Sequence, residues 1–154
     1  MSRVQLTAQK AFEAMLRDEI APALRALGLK GSGQEFSLPS ATHWALLGFQ
    51  RDRWSNKSSV RFTVNIAVIR RDVWAKASAA HPWMGARPHS RDSGYAVTDS
   101  ELPGYWHERI GLLMPRHDDY WWDVDRSTDT KKLAGEIVSA IVTDVLPAMR
   151  EHTA

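Results

Sequence analysis

The sequence predicts an α+β domain, a mainly antiparallel sheet of about five strands with N- and C-terminal helices packed on one face. Three observations point there. Apolar residues recur at three- and four-residue steps near both ends of the chain, strict two-residue alternation occupies residues 60–69, and the gaps between candidate strands are of hairpin length. The resulting order is helix, three strands, an irregular segment, two strands, helix, which differs from the alternating βα units of a parallel sheet.

Over residues 7–27, Phe12, Leu16, Ile20, Ala23 and Leu27 line up on one face of a helix. Pro22 falls inside that pattern, where its ring crowds the carbonyl of Asp18 and its missing N–H removes a bond, so a kink or restart is expected. Gly28 supplies a stop, followed by a turn at Gly31-Ser32-Gly33. Residues 34–38 read as a short strand. Residues 42–51 read as a longer one in which Trp44, Leu46 and Gly48 alternate with Ala45, Leu47 and Phe49, so both faces are apolar for part of its length. The polar run 51–59 is a hairpin loop. In residues 60–69, Phe62, Val64, Ile66 and Val68 fall on one side and Arg61, Thr63, Asn65 and Ala67 on the other, which predicts one packed and one open face. Residues 70–80 have helix-forming composition. Residues 81–104 hold three prolines and three glycines and read as a long irregular excursion. Strands are expected over 108–114 and 120–124, separated by the turn Pro115-Arg116-His117-Asp118-Asp119. Residues 129–149 form a second amphipathic helix that buries Leu133, Ile137, Ile141, Val145 and Ala148 and is capped by Asp129 or Thr130.

A length of 154 residues fits one domain spanning 1–154, and 44% hydrophobic with 25% charged residues excludes wholesale disorder. Twenty basic against eighteen acidic residues leave a formal charge of +2, too small to imply a polyanionic partner. The absence of cysteine removes disulfides, thiolate nucleophiles and cysteine-based zinc sites. Residues 1–10 lack the apolar core of a signal peptide, and no apolar run approaches the roughly 20 residues of a membrane span, so a cytoplasmic protein without membrane attachment is expected. There is no internal repeat.

Several short matches in the same order as in one family carry a resemblance over most of the chain. They are Ile20-Ala21-Pro22-Ala23-Leu24 leading to Leu27-Gly28, Gly48-Phe49-Gln50, Arg61-Phe62-Thr63-Val64-Asn65-Ile66, Glu108-Arg109-Ile110-Gly111 and Tyr120-Trp121-Trp122-Asp123. Together they resemble the bacterial family called domain of unknown function 4304. The resemblance implies a small α+β domain, with no established activity and no catalytic residues to carry over.

The residues themselves offer chemistry with plain alternatives. His107-Glu108 and His117-Asp118-Asp119 contain metal-ligand side chains, yet they flank an expected strand of about 20–25 Å and match no metal motif, so turn and surface roles are the simpler reading. Gly31-Ser32-Gly33 lacks the context of a nucleophile elbow, and no phosphate loop or dinucleotide fingerprint occurs. No cofactor is expected.

Seven tryptophans are the most unusual feature. If Trp122 packs inward, its neighbour Trp121 must point to the opposite face. The open side would then carry Gln50, Arg61, Asn65, Arg109, Trp121 and Asp123, directed polar groups beside one aromatic ring, as in a recognition site for a protein or small ligand. The plainer account is a solvated face laced with weak Arg–Asp pairs. Two other readings remain. A hydrolase would use His107 or His117 with nearby carboxylates, and a nucleic-acid binder would use Arg51, Arg53, Lys57 and Arg61 with Trp54, although Asp52 interrupts that cluster. A homodimer through the open face would also account for the aromatic content.

Overall fold

The computed structural model describes residues 7–90 and 100–154. Residues 91–99, within the expected excursion, lie outside the described residues, as do residues 1–6, where part of the signal-peptide reading falls.

Thr7 caps the first helix by accepting from the Lys10 N–H. Helix α1 (Ala8–Met15) continues through a π turn, Leu16–Ile20, into α2 (Ala21–Ala26). The π turn places Pro22 in the first turn of α2, where its missing N–H costs least, so the expected kink is realised as one wide turn. The C-terminal helix repeats the device. Capped by Asp129, it runs as α5 (Thr130–Ala140), a π turn (Ile141–Val145) and α6 (Leu146–His152), with Pro147 just past the wide turn. Gly28, at φ +96°, ends α2 with the left-handed geometry that favours glycine.

The sheet runs β1 (Lys30–Ser32), β2 (Glu35–Ser37), β3 (His43–Arg51), β4 (Val60–Arg70) and β5 (Trp106–Arg109), with β6 (Trp122–Val124) also on β4, and every pairing is antiparallel. β1 corrects the sequence reading. Gly31 and Ser32 belong to a short hairpin with β2, whose turn is at Gly33 and Gln34, and Gly31 lies so close to the Glu35 carbonyl and the Phe36 Cα that only glycine fits. One edge of β4 pairs with β3 along residues 62–70, and the other edge is shared end to end by β6 and β5.

Between those two strands the expected strand over 108–114 breaks after Arg109. Helix α4 (Ile110–Leu113) buries Ile110 in the core, and a Cβ on Gly111 would collide with the Asp118 carbonyl oxygen and come within 2.6 Å of the Tyr120 nitrogen. The chain therefore folds back tightly on itself there, and His117 takes a positive φ of 50° in the turn.

Both terminal helices pack on one face. Phe12, Ile20, Leu24, Ile137, Ile141 and Met149 meet Leu47, Phe49, Phe62, Val64 and Ile66 in the main core. Phe62 is central there, with ring centroids 4.8 Å from Phe12, 5.8 Å from Trp122 and 6.3 Å from Phe49.

The reverse face is not open along its length as the sequence reading expected. Helix α3 (Arg71–Ala80) and a 3-10 turn (Pro82–Met84) cover its far end, where Ile69, Trp74, Ala77, Met84 and Leu102 form a second core. Ser90 lies on Gly48, where a Cβ would come 2.5 Å from the Ser90 hydroxyl. Thr63, Asn65 and Ala67 are consequently buried. Among the described residues no helix is long and apolar enough to cross a membrane.

Two glycine substitutions test this packing in opposite directions. Gly111→Ala forces backbone apart and should lower stability by about 1–3 kcal/mol. Gly135→Ala, in α5 with nothing within 4 Å of the added carbon, should raise it by roughly 0.5–1 kcal/mol. Urea unfolding midpoints read both.

Candidate functional site

Directly paired residues of an antiparallel sheet share a face, so the register defines what gathers on the reverse side of β4. Gln50 stands opposite Thr63, Gly48 and Arg109 flank Asn65, and Asp123 stands opposite Arg61. Trp121 joins them from the residue before β6. Its ring centre lies 5.8 Å from the Arg61 guanidinium carbon and 5.1 Å from that of Arg109. All six residues singled out in the sequence thus meet on one half of one face. Arg61 and Asp123 are exposed, Gln50, Arg109 and Trp121 are half-buried, and Asn65 is fully enclosed.

The site is held from beneath. Asn65 Nδ2 donates to Gln50 Oε1 at 2.7 Å, an interaction inside the sheet's cover where losing a hydrogen bond costs about 1–3 kcal/mol. Thr63 Oγ1 donates to the Tyr120 carbonyl at 2.8 Å, which fixes the chain immediately before Trp121. Arg109 Nη1 bonds Asp119 Oδ2 at 2.8 Å across the fold-back. Arg116 pairs with Asp118 at 2.7 Å and lies 3.9 Å above the Tyr120 ring.

Two parts of this arrangement are absent from the sequence reading. Asp119 is ten residues from Arg109 and meets it only because Gly111 lets the loop close; a glycine inside an expected strand was the available signal. At the covered end of the same face, Trp44 carries a second pair of guanidinium groups, Arg71 at 3.8 Å and Arg87 at 5.2 Å. Arg71 donates to the Ser40 carbonyl, and Glu35 accepts from both Arg87 and the Ser90 N–H.

The histidines have separate surroundings. His107 shares the reverse face with Ala67, stacks on Tyr105 with centroids 6.0 Å apart, and has a buried Nε2 with no hydrogen-bond partner among the described residues. Burial chiefly, and the Arg109 charge secondarily, push its pKa below the ordinary imidazole value, against a smaller opposing effect of Glu108. The ring nitrogen Nδ1 of His117 contacts the Leu112 carbonyl at 2.7 Å and braces the loop. Among the described residues no three His, Asp or Glu side chains gather closely enough to hold a metal ion.

The basic cluster divides as well. Arg51 pairs with Phe62 and so shares the helix-covered face, whereas Arg61 points to the reverse and the Arg53 guanidinium rests 5.1 Å from the exposed Trp54 ring. Lys57 is exposed, and its carbonyl accepts from the Ala8 N–H.

The family model for a domain of unknown function (DUF4304) matches residues 20–151, a span that contains every motif quoted for the resemblance. The chain belongs to this family. Searches of curated proteins and of solved structures found no match. In this DUF4304 chain the match covers the whole sheet, both faces of β4 and all six gathered residues.

His107 provides a pH test of this DUF4304 face. Its folded form holds a proton less tightly than the unfolded chain does, so acid favours unfolding. Stability should fall as pH drops from the ordinary value of 6.5 through the lower folded value, then level off. His107→Gln should flatten that part of the profile, read as urea midpoints between about pH 7 and pH 5.

Proposed function

We propose that the domain is a non-catalytic, cytoplasmic recognition module that presents the reverse sheet face around Trp121 to a protein partner or small ligand, with the 51–59 loop at its rim. The observation that supports this reading is the half-buried Trp121 ring held beside two arginines on a face that the terminal helices leave uncovered. Tryptophan and arginine are the side chains most often responsible for binding energy at protein interfaces. Here they are also fixed in advance: Thr63 anchors the Tyr120 backbone and Asp119 orients Arg109, so little ordering is left to the binding event. The Arg109–Asp119 pair is partly exposed and worth little in itself, so a partner carboxylate can replace Asp119 at small cost.

A hydrolase centred on His107 has one observation in its favour, the burial that keeps its imidazole neutral and able to accept a proton.

Quantitative co-isolation from the source cells distinguishes the two readings. A partner recovered with wild-type protein should be lost by at least about tenfold with Trp121→Ala and with Arg109→Ala, the scale of a modest interface hot spot. Recovery should be unchanged with Val142→Ala, an exposed residue on the opposite helical layer. Equal recovery from all folded variants would sink the recognition reading. A hydrolytic activity abolished by His107→Ala and indifferent to Trp121→Ala would replace it.

A further inference from the structure

The geometry points to a second site, a notch of about 480 Å³ beside the β3–β4 hairpin that binds a small oxyanion-bearing ligand, a carboxylate or a phosphate monoester. It does not depend on the function proposed for Trp121.

The notch exists because β2 stops short. The Phe49 N–H bonds the Gln34 carbonyl, the last contact of β3 with its outer neighbour, while β3 runs on to Arg51. The Asp52 N–H bonds the Arg61 carbonyl, so the Arg51 backbone groups, by two-residue alternation, face away from β4 and into the gap. Gln9 of α1, Gln34, and the hairpin residues Arg53, Ser55 and Asn56 complete the wall.

Hydrogen-bond accounting on that wall selects the ligand. Two acceptors are already engaged: Asp52 Oδ1 accepts from the Trp54 N–H at 2.8 Å, and Asn56 Oδ1 from the Ser58 and Ser59 N–H groups at 2.8 and 3.1 Å. With its oxygen so committed, the Asn56 amide directs its NH₂ elsewhere, and Asn56 lines the notch. The Arg51 N–H and the guanidinium groups of Arg51 and Arg53 add donors. Two guanidinium charges against one carboxylate, Asp52, leave the wall with a net single positive charge. The acceptors left open on the same wall, the Arg51 carbonyl, the second Asp52 oxygen and Gln9 Oε1, whose amide Nε2 donates to Glu13, are fewer than these donors, so the balance of donors and charge suits an anion that brings acceptors.

Titration of the ¹⁵N-labelled full chain with inorganic phosphate, with succinate and with chloride at matched ionic strength tests the site. Saturable shifts of the Arg51 backbone N–H and the Asn56 side-chain NH₂ signals with phosphate or succinate are expected; the tighter of the two identifies the ligand class. The R51A/R53A double variant should bind at least about tenfold more weakly, as expected on removing charge-assisted hydrogen bonds, and Asn56→Ala should weaken binding by a smaller factor. Trp121→Ala should bind normally, which separates this site from the recognition face. Shifts equal to those in chloride, or saturable shifts that map away from these two residues, would overturn the proposal.

Discussion

The parity of β4 is the constraint on which the rest of the structure depends. Its even-numbered residues, Phe62, Val64 and Ile66, belong to the helix-covered core, and its odd-numbered residues, Arg61, Thr63 and Asn65, belong to the reverse face. Both edges are paired as well, by β3 along one side and by β6 and β5 along the other. A slip of one residue would send phenylalanine to the polar side and bury arginine among the helices, so the aromatic contacts of Phe62 lock the register.

The reverse face is then divided rather than simply exposed. At one end α3 and Met84 seal an apolar patch over Ile69, and at the other end the face stays polar and partly exposed around Trp121. Asn65 lies at the boundary, enclosed yet bonded to Gln50. An amide at that place lets an interior position communicate with a surface one through a single hydrogen bond, which a hydrophobic residue there would not do.

Most of the fold was legible because its signals are local. Helical spacing placed the terminal helices, alternation placed β3 and β4, and Pro22 marked the disturbance that became a π turn. The gathering of Gln50, Arg61, Asn65, Arg109, Trp121 and Asp123 on one face followed from the same alternation. What was hidden depends on contacts between distant segments. Ser90 over Gly48, Asp119 on Arg109 and the fold-back permitted by Gly111 leave no period in the sequence. The cover of α3 was hidden for the same reason: its composition announces a helix, and only the second core reveals which side of the sheet it occupies.

The division of one edge of β4 between two short strands has a consequence for how this scaffold can diversify. Ile110 and Trp122 are anchored in the core at either end of the fold-back and Gly111, Leu113, Met114 and Tyr120 are packed between them, so only the exposed turn at residues 115–119 can change chemistry without disturbing the sheet. Trp121 lies two residues beyond that turn. The chemistry beside Trp121 can therefore be rewritten over this short turn while the architecture beneath it is kept.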